Sequence, residues 1–166
     1  MHLSIGILNK ILGEIYMEFD LLFDFQENKS LYKQNIQKNI LQTNEKSVEF
    51  GLSLSERDAE MLAETCNNSI CEQERIEFGD SIAVKLIEKF MQSSYISQNE
   101  YADIIALLID IFYSAKEESL DILTDDEVID IMFDFFENQS GGSVEMLETR
   151  DMDYLCRKIR FEALGL

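Results

Sequence analysis

The chain has no proline and no tryptophan, and only seven glycines and one histidine occur among its 166 residues. Because proline and glycine interrupt helices, their scarcity favours helices joined by short polar turns. The single histidine, His2, leaves no residues for a Ser-His-Asp or Cys-His catalytic system, or for the Glu-x-x-His motifs of di-iron bundles. No phosphate-binding loop or dinucleotide fingerprint is present. We therefore predict a protein that is not an enzyme and carries no cofactor and no metal.

Positive charge is also scarce: 14 Lys and Arg stand against 33 Asp and Glu, which gives a net charge of −19 and an isoelectric point near 4.2. Direct binding to nucleic acid needs clustered cations, and anionic membranes repel such a chain, so we expect neither. Basic proteins are the partners that this charge favours. The spacing of Cys66, Cys71 and Cys156 fits neither a disulfide framework nor a zinc site, which is typical of a reducing cytoplasm.

Apolar residues make up 46% of the chain, including eleven Phe, so a single domain over residues 1–166 can fill a core. Helix-start patterns with a capping hydroxyl and an acid three residues later occur at Ser55, Ser97 and Thr124. Gly141 and Gly142 indicate a helix end, and Ser143 indicates the next start. We predict a compact all-α bundle of about six or seven helices, near 5–25, 31–42, 55–73, 81–92, 98–117, 125–137 and 144–163, with turns at 44–53 and 139–143.

The first residues allow two interpretations. Gly13 and Glu14 permit a purine-rich ribosome-binding tract upstream of Met17, so residues 1–16 are an extension or the result of a mis-assigned start. Against a mis-assigned start, apolar residues keep a helical spacing across residues 16 and 17, as in one continuous amphipathic helix. The segment has no basic start and no cleavage site, and its acidic residues interrupt any membrane span, so no export is indicated.

Two predicted helices are apolar on nearly every side. In the first, Asp103 and Asp110 are almost the only residues left for solvent, and the second carries seven apolar residues between Val128 and Phe136. Such a helix is either central in the bundle or covered by another chain, so a homodimer is one alternative.

Acidic residues are concentrated between Tyr101 and Asp153, where 15 of them stand against only Lys116 and Arg150. Three share one face of a helix at i, i+4 and i+8, and two more flank them: Asp126, Asp130 and Asp134, with Glu127 and Glu137. This acidic stripe allows a divalent-cation site or a docking face for a basic partner. The alternative is a solvated face, or one paired internally with Arg150, Arg157, Lys158 and Arg160.

A second cluster surrounds Gly79, a predicted hinge. Residues 75–78 alternate in polarity and indicate a short extended segment. Six polar or aromatic residues from this region and the following turn are candidates for a pocket between helices: Arg75, Glu77, Lys85, Tyr95, Gln98 and Tyr101. Hydrogen bonds that fix turns, and aromatic packing at helix ends, are the structural alternative.

Six short motifs lie between about residues 44 and 160: Asn44-Glu45-Lys46, Phe50-Gly51-Leu52-Ser53-Leu54-Ser55, Arg75-Ile76-Glu77-Phe78-Gly79, Lys85-Leu86-Ile87, Ser94-Tyr95-Ile96 and Leu123-Thr124-Asp125-Asp126-Glu127. In these motifs the chain resembles a family of small uncharacterised proteins from low-GC Gram-positive bacteria, a domain of unknown function. The resemblance implies a bacterial cytoplasmic protein and no catalytic residues. Ser94 departs from it, since a proline is expected there.

The sequence thus favours a non-enzymatic helical protein that acts through protein–protein interaction, with a basic partner. Two alternatives remain open. One is a nucleic-acid mimic that occupies the basic groove of a DNA-binding protein, which requires exposed carboxylates spaced like phosphates. The other is a protein that binds a divalent cation or a small molecule through the acidic stripe or the cluster around Gly79.

Overall fold

The computed structural model describes residues 30–75 and 80–165, and residues 1–29, 76–79 and 166 lie outside the described part. The chain divides into two compact units, Met1–Asn35 and Ile36–Leu166. Of the first unit, residues 30–35 are described, and they are helical. The predicted helix at 5–25 and the alternative start at Met17 lie outside the described residues. A single domain over the whole chain therefore stays a prediction.

The second unit consists of helices joined by short turns. It begins with helical residues 36–42 (α1), and the later elements follow in this order: α2 (Asn44–Ser47), a 3-10 turn (Val48–Phe50), α3 (Glu56–Glu72), α4 (Ile82–Phe90), α5 (Tyr101–Glu118), α6 (Asp125–Asn138), α7 (Val144–Met146), a π-helical segment (Leu147–Met152) and α8 (Asp153–Leu164). The described residues contain no strand, and the helices pack against one another. The predicted all-α bundle is confirmed.

Two of the predicted helix starts are capped as the sequence indicates. Ser55 accepts a hydrogen bond from the backbone N–H of Asp58, whose carboxylate accepts one from the Ser55 backbone in return. Thr124 and Glu127 form the same reciprocal pair at the start of α6. Each pair satisfies backbone donors that have no partner within the helix, which fixes where the helix begins.

Two other boundary predictions were wrong. Residues 44–53, predicted as a turn, contain α2 and the 3-10 turn. The helix predicted from residue 98 begins at Tyr101. The side-chain amide of Gln98 accepts a hydrogen bond from the Ser53 backbone N–H at 2.7 Å and donates one to the Ser53 carbonyl at 2.8 Å. This link to a distant loop holds residue 98 outside the helix, while Ser97 donates its hydroxyl hydrogen to Glu100.

Helix α5 lies at the centre of the bundle, where it packs against α3, α4, α6 and α8. Half of its residues are buried, and only a narrow stripe reaches solvent. An apolar helix of this kind was predicted to be either central in the bundle or covered by another chain, and α5 is central. Helix α6 buries Val128, Ile129, Met132 and Phe136, whereas Ile131, Phe133 and Phe135 are only partly covered.

The turn between α6 and α7 needs a glycine at position 142. Gly142 has a φ of 82°, and a Cβ added there would lie 2.5 Å from both Cβ and Cγ of Tyr95. The Tyr95 ring packs edge-on against Phe136, with the ring centroids 6.2 Å apart. Ser143 then caps α7 by accepting a hydrogen bond from the Met146 backbone, as predicted.

Candidate functional site

Two acids of the α6 stripe face lysines of α4. Lys85 Nζ lies 2.8 Å from Asp126 Oδ1, and Lys89 Nζ lies 2.5 Å from Asp130 Oδ1. Both members of the second pair are four residues further along, so the two helices run in the same direction here. Lys89 also lies over the Phe133 ring, 5.2 Å from its centroid. The hydrogen bond from Lys85 lowers the pKa of the Asp126 carboxyl below its usual range.

The remaining acids of the stripe have structural partners. Glu127 caps α6, Asp134 accepts a hydrogen bond from Asn138 at 2.8 Å, and Glu137 accepts one from the Ser93 hydroxyl. Internal pairing of the stripe is therefore present, but its cations come from α4.

The C-terminal cations that the sequence offered as partners of the stripe bind elsewhere. Arg150 pairs with Asp151, Arg157 pairs with Asp153, and Arg160 donates to the Glu118 carbonyl. Two of the five carboxylates of the stripe are thus paired with lysines that the sequence places about forty residues upstream.

A second ion-pair network joins the end of α3 to the α5–α6 turn. Arg75 donates two hydrogen bonds to Asp121, of 2.7 and 3.0 Å. The Lys116 ammonium group is almost fully buried and donates to the Leu123 carbonyl at 2.7 Å, with Asp125 3.0 Å away. These contacts fix the turn that leads into the acidic start of α6.

The other predicted pocket residues lie in different surroundings. Lys85 binds Asp126, Gln98 binds the Ser53 backbone, and Glu77 lies outside the described residues. Tyr101 is completely buried, and burial raises the pKa of its phenol to about 12. The Ser47 hydroxyl is close enough to oppose that shift in part, but it lacks the geometry of a hydrogen bond to the Tyr101 oxygen.

A different acidic surface, which we call the α5 acidic face, consists of Asp103, Leu107 and Asp110, with Glu72 of α3 and Glu148 of the π-helical segment beside Asp110. The three α5 residues are exposed at i, i+4 and i+7, and Leu107 keeps 49% of its surface accessible. Partial burial raises the pKa of the Asp110 carboxyl, and the negative charges of Glu148 and Glu72 raise it further. No cation of the described residues forms an ion pair with this face.

The same acidic character continues towards the end of α5. A small cavity of about 90 Å³ there has Ser114, Glu118, Glu148, Asp153 and Cys156 in its lining. Burial raises the pKa of the Cys156 thiol to about 11, and nearby carboxylates add to the effect, so the thiol stays protonated. Within residues 30–75 and 80–165, no three His, Cys, Asp or Glu side chains lie close enough together to hold a metal ion.

A larger groove of about 430 Å³ lies between α6 and α8. Its apolar lining is Phe135, Tyr154 and Leu155, and its polar lining is Gln139, Arg150, Asp151 and Lys158. Asp151 is buried and accepts hydrogen bonds from Arg150 and from the Ser140 hydroxyl. The Arg150 guanidinium holds the pKa of Asp151 below its usual range. The sequence analysis did not predict this groove. A signal that could have indicated it is the large aromatic residue Tyr154 on the charged, exposed side of α8.

None of the described helices is long and apolar enough to cross a membrane. Comparison with curated proteins and comparison with solved structures each found no match. A family model does match residues 39–165, and this range contains the six motifs and the whole extent of the resemblance, from about Asn44 to Arg160. The chain belongs to this family, which is described as a family of unknown function, DUF6323.

Proposed function

We propose that this protein is a non-enzymatic interaction protein of the bacterial cytoplasm, and that its α5 acidic face binds a basic segment of another protein. The proposal keeps the kind of partner that the sequence favoured and moves the contact from α6 to α5. Its main support is a group of exposed carboxylates to which no cation of the described residues is paired. Partial burial raises the pKa of Asp110, and the charges of Glu148 and Glu72 add a repulsion to it. A bound Lys or Arg side chain would relieve that repulsion.

The apolar centre of the face adds to this support. Leu107 is half exposed between two carboxylates on the same side of α5. A single exposed leucine is ordinary in itself, but between two carboxylates it offers an apolar contact that contributes affinity while the charges select the partner. We therefore expect a partner segment with an apolar residue between two basic ones.

The spacing of the carboxylates favours a protein over the two alternatives. Asp103 and Asp110 are seven residues apart, about 10 Å along the helix axis, which suits separate basic side chains. Duplex DNA carries a charge every 1.7 Å or so of its axis, a far denser pattern than this face offers. The α6 stripe, the other candidate for mimicry, is partly offset, because Lys85 and Lys89 pair with Asp126 and Asp130. A single divalent cation needs ligands converging on one point, and among the described residues no three His, Cys, Asp or Glu side chains lie close enough together to do this.

Quantitative affinity capture from native-host lysate tests the proposal. Three forms of the tagged full-length chain serve as bait: the wild type, the face variant Asp103→Asn/Asp110→Asn/Glu148→Gln, and the control Glu45→Gln/Glu49→Gln/Glu56→Gln. The two variants lose the same charge, and the control acids are exposed on α2, the 3-10 turn and α3. Proteins released by a salt step are then identified by mass spectrometry.

We expect one basic protein to be retained at low salt by the wild type and by the control, and to be lost from the face variant. Capture that is equal for all three baits would contradict the α5 site, since non-specific attraction follows net charge alone. If the lost protein binds DNA, the mimic alternative gains support. If no protein is retained by any bait, thermal melts with divalent cations or metabolites become the deciding measurement.

A further inference from the structure

The strongest unexplained feature outside the α5 acidic face is the apolar surface around the α6–α8 groove. Tyr154 is 71% exposed and Phe161 is 55% exposed. Seven residues separate them, so they lie on the same side of α8. On α6, Ile131 and Phe135 are only partly covered and lie one turn apart. Tyr154 and Phe135 both line the groove, and Phe161 and Ile131 each lie on the same side of a helix as one of them. Single exposed apolar residues are ordinary, but apolar residues grouped in this way are typical of an interface.

We propose that this surface, which we call the α6–α8 face, is the contact between two copies of the chain in a two-fold dimer. The inference is independent of the proposed function, because it uses neither α5 nor its carboxylates. It also gives a contact surface to the homodimer, which the apolar pattern of α6 suggested as an alternative.

The face has both a projecting side chain and a groove. The exposed Tyr154 side chain stands beside a groove of about 430 Å³ that Phe135 and Leu155 line. In a two-fold interface the same patch is used by both subunits, so a projecting group next to a matching hollow is filled reciprocally. Each tyrosine would enter the groove of the partner copy. Tyrosine is among the residues that contribute most at such contacts, because its large ring is rigid and amphipathic.

Two charges of opposite sign are also available: Lys158 lines the groove, and Asp134 is exposed next to Phe135 in the sequence. Asp134 belongs to α6 and Lys158 to α8, and among the described residues neither forms an ion pair. A two-fold axis that runs along the groove places the α6 side of one copy opposite the α8 side of the other. Asp134 of each copy is then placed to pair with Lys158 of the partner copy, at two equivalent positions. This pairing matters for a chain of charge −19, because two copies otherwise repel each other.

Sedimentation velocity on the full-length chain, from micromolar to near-millimolar concentration, measures the dimer constant. We expect the wild type to dimerise and Tyr154→Ala to weaken the dimer at least about tenfold. Lys158→Asp and Asp134→Lys should each weaken it, and the double variant should recover much of the loss because the pair is restored in reverse order. Lys38→Asp is the matched control, since Lys38 is exposed on α1 and should leave the dimer unchanged.

Circular dichroism melts verify that each variant is folded, which the exposure of these side chains favours. A wild type that stays monomeric throughout overturns the proposal. So does a dimer that Tyr154→Ala leaves intact, because the contact would then lie on another surface. A double variant no tighter than the two single ones would overturn the assigned two-fold geometry.

Discussion

Arg75 binds Asp121 through two parallel hydrogen bonds, of 2.7 Å from Nη1 to Oδ1 and 3.0 Å from Nη2 to Oδ2. The bridge connects the end of α3 to a turn with unusual backbone. Glu74, Leu120 and Asp121 have φ values of 53°, 56° and 56°, and they are the non-glycine residues with positive φ in the described part of the chain. Asp121 is part of the bridge, and Glu74 and Leu120 directly precede its two members in the chain. Left-handed backbone costs free energy for residues with a side chain, so the bridge stabilises a turn that is locally unfavourable.

Leu120→Gly should stabilise the protein despite the loss of an apolar side chain. The left-handed conformation costs a leucine about 1–2 kcal/mol, and the side chain is half exposed, so it contributes little burial. After the entropy cost of a glycine, we expect a net gain in the free energy of unfolding of about 0.5 kcal/mol. Leu107→Gly is the control: Leu107 is equally exposed but helical, and the change should cost about 1 kcal/mol. Urea denaturation of both variants measures the difference, and a loss of stability in Leu120→Gly would contradict it.

Gly142→Ala should destabilise the protein more than Gly141→Ala. Both glycines have positive φ, but a Cβ at 141 has open space, whereas one at 142 meets Tyr95 at 2.5 Å. We expect about 1 kcal/mol for Gly141→Ala from backbone strain, and at least about 1 kcal/mol more for Gly142→Ala from the steric clash. Thermal or urea unfolding of the pair provides the comparison. Equal losses would mean that Tyr95 moves aside at little cost.

Lys116→Met should destabilise the α5–α6 turn by about 1–3 kcal/mol. The buried ammonium group satisfies the Leu123 carbonyl and faces Asp121 and Asp125, and methionine replaces its length without a donor. The two carboxylates are about half exposed, which keeps the loss below that of a fully buried pair. Amide hydrogen exchange should show increased opening of residues 119–125 before the rest of the bundle. Unchanged exchange there would show that the turn does not depend on Lys116.

The sequence predicted most of the fold because its signals are local. Capping pairs at Ser55 and Thr124, and the glycines that end α6, each act within a few residues, and each occurs where it was predicted. The same pattern at Ser97 failed because the competing interaction is long-range: the Gln98 amide binds Ser53, which is 45 residues away. Local sequence cannot show such a partner.

The candidate site was harder to predict for the same reason. The sequence indicates that Asp126 and Asp130 share a face of α6, but not that α4 lies beside it with Lys85 and Lys89 at the matching spacing. Similarly, Asp103 and Asp110 were recognised as the solvent side of α5. The carboxylates that act on Asp110 come from Glu72 and Glu148, each about 38 residues away, and only the packing of α3 and the π-helical segment brings them near.

Asp110→Asn should stabilise the protein at neutral pH and have no effect in acid. The pKa of Asp110 is higher in the folded chain than in the unfolded chain, so the folded state binds the proton more tightly. Ionisation therefore costs stability, and that cost is fully present above the folded-state pKa and disappears as the pH falls below the ordinary aspartate range. Because the side chain is largely solvated, we expect only a few tenths of a kcal/mol.

Asp121→Asn should change the free energy of unfolding in the opposite direction in the same experiment. The Arg75 hydrogen bonds lower the pKa of Asp121, so its contribution is stabilising above the ordinary aspartate pKa and is lost as the pH falls through the lowered folded value. Urea unfolding of both variants at neutral and acidic pH should thus give a gain for Asp110→Asn and a loss for Asp121→Asn, and the two should converge on the wild type in acid. If Asp110→Asn is neutral or destabilising at pH 7, then neither burial nor the charges of Glu148 and Glu72 disfavour the ionised Asp110, and the electrostatic reason for a basic partner there is lost.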